Sequence, residues 1–491
     1  MKGAKRPFLT KQFFVQKRVN IYYSAVIFFI HRTKHTAQEL MQMLKFWQFI
    51  VLTFGFLLPA CAQSGQPILA PTPPMGWNSW DSYGTTIDEA QFKATTEWFA
   101  RHLKPYGWQY VIIDEGWTIP KGGADGKGNN RQFTLDNYGR YIPAPSRFPS
   151  AEGDAGFKPL AVYVHSQGLK FGLHILRGIP KQAVESNSPI AGSSFKATDA
   201  ADPSAPCPWN TDNDGVKDSP AGQAYYDSIA NLYASWDVDF IKVDCISSRP
   251  YAGADIRMLS TALRKTGRPI VLSLSPGAAP IEKVGEMRQY AQMWRISDDV
   301  WDVWRSNTDF PQGVGNQFAR AAQWAPLTEP GHWPDADMLP LGHLGPSAGW
   351  GEPRDSRLTH DEQRTLFTLW SMFRSPLIMG GNLLLSDEWT IALLTNPEVI
   401  AVDQRSRGER AVISTDKAVV WTSQPDDGNG SYLAIFNIGD SVQTLGYSWK
   451  ELGLNGANYK LRDLWKRKNL GAAKEIKVTL PSHGCVLYRV Q

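Results

Sequence analysis

Between residues 75 and 385 the chain repeats one pattern: a short apolar run rich in β-branched or aromatic side chains, then a longer stretch with apolar residues three and four apart. The runs fall at 75–80, 110–114, 170–175, 239–244, 269–274, 293–297, 322–327 and 376–379. The amphipathic stretches include 89–103, 157–167, 221–236, 254–265 and 361–372. Short bounded runs read as strands, and three-and-four spacing reads as helix. Alternating strand and helix implies a parallel sheet, since each helix returns the chain to the edge where the last strand began. Eight repeats predict an α/β fold, a closed (β/α)₈ TIM barrel over residues 71–403. A doubly wound open sheet is the alternative. Against it, no Gly-x-Gly-x-x-Gly turn follows the first run and no Gly-x-x-x-x-Gly-Lys-Ser/Thr occurs.

After residue 403 the pattern changes to brief alternating runs at 411–414, 418–422, 432–437, 444–448, 475–480 and 484–489. Asp426-Asp427-Gly428-Asn429-Gly430 supplies a hairpin turn between two of them. Residues 404–491 therefore read as a small C-terminal antiparallel β-sandwich with a structural role. The 491 residues, with 19 Trp, 17 Tyr, 22 Phe and only 20% charged side chains, hold ample apolar area for both cores, which excludes intrinsic disorder.

The formal charge of +4 misleads, because residues 1–60 hold nine Lys/Arg and only Glu39. The remainder carries 42 basic against 46 acidic side chains, a net −4 with no basic run, so nucleic acid is not an expected partner. From Met43 a single Lys, a short apolar run and small residues make up an export signal over 43–62. Residues 1–42 read as an upstream extension from a start codon placed too early. Leu58-Pro59-Ala60-Cys61 resembles a bacterial lipobox, with Cys61 as the lipid anchor; cleavage after Ala60-Cys61-Ala62 is the alternative. The protein is thus expected to be exported, whether periplasmic, secreted or lipid-anchored to a bacterial membrane, with no membrane span. Cys207 and Cys245 are the candidate disulfide pair, since one follows a strand end and the other lies in an adjacent long loop. Two buried free thiols are the alternative.

Barrel enzymes build their sites at the C-terminal ends of their strands, and three of these runs end in acids, Asp114-Glu115, Asp244 and Asp298-Asp299. Trp333-Pro334-Asp335-Ala336-Asp337 offers a fourth acidic end. Lys242 shares a strand face with Asp244, and an ammonium beside a carboxylate keeps it ionised, as a nucleophile requires. A single acid at a strand end is ordinarily a helix cap or a structural ion pair. Four flanked by Trp point to chemistry. Histidines do not accompany them at ligand spacing, so no metal is expected, and the loop 210–215 lacks the Glu of a calcium-binding EF-hand. Trp80, Trp117 and Trp333 suit the C–H faces of a sugar, whereas Trp77, Trp108 and Trp236 read as core.

These residues resemble glycoside hydrolase family 27, the α-galactosidase and α-N-acetylgalactosaminidase family. The resemblance rests on Pro73-Pro74-Met75-Gly76-Trp77-Asn78-Ser79-Trp80, Ile113-Asp114-Glu115-Gly116-Trp117, Lys242-Val243-Asp244-Cys245, Arg295-x-x-x-Asp299 and Asp335-Ala336-Asp337-Met338-Leu339. It implies a cofactor-free retaining hydrolysis of an oligosaccharide or glycoconjugate, with α-galactosidase the leading specificity. Asp244 would be the nucleophile and Asp299 the general acid/base, their carboxyls about 5–5.5 Å apart. Asp298 competes for the second role, but the family's acid lies four residues after the Arg. Trp80, Asp114, Lys242, Arg295 and Asp337 match sugar-binding positions.

The chain departs from the family at Glu115, one methylene longer than the usual Asp, at Gly116, where the family has Cys, and at His174, where α-galactosidases carry Tyr. Ser275 is small, as in the N-acetylgalactosaminidases. These departures leave α-N-acetylgalactosaminidase, β-L-arabinopyranosidase and isomaltodextranase specificities open. They also leave open a non-catalytic glycan-binding surface lipoprotein, although binding alone does not require both candidate acids with their basic partners.

Overall fold

The computed structural model describes residues 68–121 and 132–491. The upstream extension, the export segment at 43–62 and Cys61 lie outside these residues. Eight parallel strands form one sheet: β1 (Met75–Asn78), β2 (Tyr110–Ile113), β3 (Lys170–Leu176), β4 (Phe240–Asp244), β5 (Val271–Leu274), β6 (Met293–Arg295), β7 (Trp333–Asp335) and β8 (Leu377–Met379). Their order is β7-β6-β5-β4-β3-β2-β1-β8. The two edges meet just beyond β7, where Leu339 N donates to Ile378 O at 2.8 Å and Gly380 N donates to Leu339 O at 3.0 Å. The sheet is thus the expected TIM barrel.

One main helix follows each of the first seven strands: α1 (Glu89–His102), α2 (Lys158–Ser166), α3 (Pro220–Ser235), α4 (Gly253–Lys265), α5 (Val284–Tyr290), α6 (Gln317–Trp324) and α7 (His360–Phe373). Two more, α8 (Glu388–Leu394) and α9 (Pro397–Gln404), follow β8. Local chemistry starts them. Asp88 Oδ1 accepts from Gln91 N at 2.8 Å while Gln91 Oε1 accepts from Asp88 N at 3.0 Å, a reciprocal capping box at the head of α1.

The seventh strand is not at 322–327. That stretch holds the end of α6 and a 3₁₀ turn, Ala325–Leu327, and the strand is Trp333–Asp335. Phe318, Ala321, Trp324 and Ala325 are all buried at helical spacing, a one-sided apolar stripe that packs a helix. The true strand is only three residues long and includes Pro334, so it shows almost no apolar run.

Alternation along the strands builds the barrel interior in layers. Tyr110, Phe240, Val271, Met293 and Trp333 form an apolar plug near the strand starts, with Ile112 and Ala70. Two residues further along the same faces stand Lys242, Ser273, Arg295 and Asp335, and beyond them Asp114, Asp244, Ser275 and Asp337. The same face thus turns from apolar to charged toward the C-terminal rim.

Past α9 the chain forms a six-stranded antiparallel sheet of β9 (Ser406–Ser414), β10 (Ala418–Pro425), β11 (Ser431–Asn437), β13 (Tyr459–Asp463), β14 (Lys468–Ala473) and β16 (Cys485–Val490). A second ribbon pairs β12 (Gln443–Ser448) with β15 (Glu475–Leu480). The turn at 426–430 joins β10 to β11, as its sequence requires. Strands β13 and β14 went unread because residues 459–473 mix charged and small side chains without clean alternation. This domain docks on α7 and α9: Cys485 Sγ meets Thr368 Oγ1 at 3.3 Å and Asn396 Nδ2 donates to Leu464 O at 3.0 Å.

Candidate active site

The rim of the barrel gathers the predicted charged residues around one cluster. Lys242 Nζ lies 2.9 Å from Asp114 Oδ2 and 3.6 Å from Asp244 Oδ1. His174 Nε2 lies 3.1 Å from Asp244 Oδ2. On the other side Arg295 Nη1 is 2.7 Å from Asp337 Oδ1, its Nη2 is 3.2 Å from Asp299 Oδ1, and Ser275 Oγ is 3.5 Å from Nη1. Asp244 therefore sits among Lys242, His174 and Arg295, and Asp299 beside Arg295.

Backbone geometry fixes these groups. Cys245, immediately after Asp244, has φ +64° and is bonded to Cys207 with a Cα–Cα distance of 6.0 Å, so the candidate pair forms. Arg177 Nε donates to Cys245 O at 2.8 Å. Asp337 has φ +89°, an uncommon conformation for a non-glycine residue. It is held there by Val300 N donating to its Oδ2 at 2.7 Å, Asp335 Oδ1 accepting from its N at 2.9 Å, and Trp370 Nε1 donating to its O at 2.8 Å.

The cluster polarises its carboxyls in opposite directions. Burial works against ionisation of Asp244, but Lys242, His174 and Arg295 outweigh it and hold its carboxyl well below the usual carboxylate range. Asp299 moves the other way. Partial withdrawal from water raises it, Asp244 and Asp298 add to the shift, and Arg295 and Lys242 offset only part. Burial also lifts Asp337, to about 7, with Asp299 and Asp335 adding and Arg295 opposing. Asp114 is lowered: burial opposes the shift, but Lys242 and His174 prevail. His174 is raised because Asp114 and Asp244 overcome its burial.

Asp298 turns away from the cluster and pairs with Arg249 at 2.5 Å, which leaves Asp299 as the acid facing Arg295. Asp299 is 37% exposed at its side chain, whereas Asp337 is 3% exposed, so Asp299 is the raised acid that an incoming molecule can reach. Glu115 stands to one side, where Asn210 Nδ2 approaches its Oε1 at 3.4 Å, and it lines a cavity with Trp117, Tyr141, His174 and Asp212. Trp80 is partly exposed at the rim beside Trp301 and Trp350. Trp333 is not a stacking residue: it is fully buried in the plug and its Nε1 donates to Ala70 O at 2.8 Å. Trp117 is buried as well, its Nε1 donating to His174 O at 2.8 Å. Trp77, Trp108 and Trp236 are core, as expected.

The departure at Gly116 has a steric reason. Its φ is +94° and a Cβ there would lie 2.5 Å from Thr85 Cβ, so a Cys has no place in this chain. Two participants escaped the sequence reading. Asn78 Nδ2 donates to Asp114 Oδ2 at 2.7 Å. Asp81 is buried next to Trp80 with no hydrogen-bond partner on Oδ2, and burial, then Asp337, raises it far above the usual carboxylate range. The available signal was position: both follow the apolar part of the first run, where inward residues turn polar.

The α-galactosidase A family profile matches residues 72–186 and 211–405, and the α-galactosidase C-terminal β-sandwich profile matches 415–490. The chain belongs to glycoside hydrolase family 27 and is a glycosidase. It is 46% identical to the crystal structure of a family 27 β-L-arabinopyranosidase from Geobacillus stearothermophilus, over 86% of this chain and 97% of that one, with a TM-score of 0.82. It is 28% identical over 426 residues to α-galactosidase of Cyamopsis tetragonoloba, covering 86% of each chain. α-Galactosidase A of Cellvibrio japonicus is 26% identical over 446 residues, covering 86% of this chain and 92% of that one.

Proposed function

We propose that the protein is a retaining exo-glycosidase that works by double displacement. Asp244 attacks the anomeric carbon while Asp299 gives its proton to the glycosidic oxygen; the C–O bond to the leaving group breaks and an ester bond to Asp244 forms. Asp299, now a carboxylate, takes a proton from water, whose oxygen attacks the same carbon and returns Asp244 to its free state. Carrying this reading is the opposite polarisation of the two carboxyls: Asp244 is shifted toward its ionised form by Lys242, His174 and Arg295, and Asp299 is shifted toward its protonated form while partly open to solvent. Lys242, Asp114, His174, Arg295 and Asp337 would position the sugar hydroxyls, with Trp80 against its ring.

The preferred sugar in this proposal is a terminal β-L-arabinopyranosyl group, with α-D-galactopyranosyl second. The two share ring stereochemistry and differ by one hydroxymethyl group. The 46% identity to an arabinopyranosidase supports the first. The 26–28% identity to α-galactosidases supports the second. The test is hydrolysis of nitrophenyl β-L-arabinopyranoside, α-D-galactoside, α-N-acetylgalactosaminide and α-glucoside, with Asp244→Asn as control. Preferential cleavage of the arabinoside, lost in the control, is expected; no cleavage of any would overturn the reading.

Export completes the proposal. The Cys207–Cys245 bond suits an oxidising compartment, and among the described residues no helix is long and apolar enough to cross a membrane. Mass spectrometry of the mature N-terminus tests cleavage near Cys61 and its lipidation.

A further inference from the structure

In a retaining glycosidase the leaving group departs beside the acid that protonates it. Whatever surrounds Asp299 on the open side therefore faces the aglycone, an argument that rests on the role proposed for Asp299 above. Gln312 N donates to Asp299 O at 2.8 Å, and Trp301 N donates to Gln312 O at 3.0 Å. The segment that carries Phe310 is thus tied to the backbone of the acid itself.

Phe310 is 46% exposed and meets Trp350 edge to face, ring centroids 5.8 Å apart. Trp350 packs on the buried Trp301 at 5.4 Å, in the same small cluster as Trp80. The backbone of the Trp350 loop touches the indole of Trp80, since a Cβ on Gly349 would lie 2.4 Å from Trp80 Nε1. Phe310, Trp350 and Trp301 thus form a continuous aromatic row, and the Gly349 backbone joins it to Trp80 at the glycone rim. The platform is held rigidly: Arg354 clamps the buried Asp302 at 2.6 and 2.9 Å, Arg357 reaches it at 3.0 Å, and both guanidiniums lie 5.4 Å from the Trp350 ring. Arg249, bridging Asp298 at 2.5 Å and Asp309 at 3.2 Å, gives the platform a charged margin.

Scattered exposed aromatics need no explanation. A ring that extends a braced Trp pair, of which Trp301 is buried and Trp350 partly exposed, is joined to the backbone of the acid through Gln312 and is bordered by hydrogen-bonding charges, has the makeup of a pyranose subsite: an aromatic face for C–H groups and polar groups for hydroxyls. We propose that Phe310 and Trp350 form an aglycone subsite for a sugar ring, so that the enzyme is built for glycans in which the terminal sugar is attached to another sugar.

The test compares kcat/KM on the α-D-galactosyl and β-L-arabinopyranosyl fluorides, which carry no sugar aglycone, with kcat/KM on the same two sugars linked to O6 of glucose. In Phe310→Ala the ratio of disaccharide to fluoride should fall roughly tenfold, the worth of one aromatic contact, and Phe310→Tyr should keep it. A ratio unchanged within twofold in Phe310→Ala, or lost equally in Phe310→Tyr, would overturn the subsite while leaving the glycosidase reading intact. Failure of the wild-type protein to hydrolyse either fluoride would overturn both.

Discussion

Arg295 Nη1 lies 2.7 Å from Asp337 Oδ1, and neither side chain is more than 3% exposed. A pair this deeply buried cannot lose one member cheaply, because the survivor is left charged and without water. Asp337→Asn should destabilise the protein, though by less than the ~3–5 kcal/mol of a fully ionised buried pair, because Asp337 is lifted to about 7 and Arg295 keeps Asp299 at 3.2 Å; kcat should fall as Arg295 loses one of its two anchors. Denaturant unfolding at neutral pH measures the first effect and a nitrophenyl glycoside assay the second.

Asp299→Asn should cut kcat/KM about 10²–10⁴-fold on a disaccharide, the usual contribution of a positioned acid. The loss should be far smaller on a glycosyl fluoride, because fluoride departs without a proton. Asp244→Asn should be inactive on both. Equal losses on the two substrates in Asp299→Asn would argue against its role as the acid.

The pH profile of kcat/KM should be bell-shaped. The acid limb reports protonation of Asp244 and lies below the usual carboxylate range; the alkaline limb reports deprotonation of Asp299 and lies above it. Removing the cation in Lys242→Met raises the pKa of Asp244, so the acid limb should move to higher pH. An acid limb that stays in place would show that Lys242 does not hold the charge of Asp244.

The Cys207–Cys245 bond closes a sequence separation of 38 and joins the residue next to the proposed nucleophile. Replacing both by Ser should cost roughly 2–4 kcal/mol of stability, and kcat should fall with it as Asp244 loses its anchor. Thermal unfolding and kcat with and without reductant test this together.

The C-terminal domain braces the loop that follows the acid. His483 stacks on Trp304 with ring centroids 4.0 Å apart, and Arg305 Nη2 donates to Ile438 O at 3.0 Å. His483→Ala should increase amide exchange in residues 300–316 and reduce kcat. Unchanged exchange there would show that the domain stabilises the barrel without positioning the loop.

The barrel was legible because its period is local: Val111-Ile112-Ile113 and Phe240-Ile241-Lys242-Val243-Asp244 announce strands and the acids at their ends without reference to anything distant. Trp333-Pro334-Asp335 did not, because a three-residue strand with a proline carries no periodic signal, and the neighbouring Phe318, Ala321 and Trp324 offered a stronger apolar pattern.

For the site, the chain order of residues determined which acids stand at strand ends and which cations share their faces, since alternation along a strand is a property of the backbone. Tertiary structure decided the rest. It turned Asp298 to Arg249 and Asp299 to Arg295, sent Trp333 into the plug and left Trp80 at the rim, and drew Asn78 and Asp81 into the cluster. Those outcomes depend on burial and on charges from strands up to hundreds of residues apart, and such fields exist only once the ring of strands has closed.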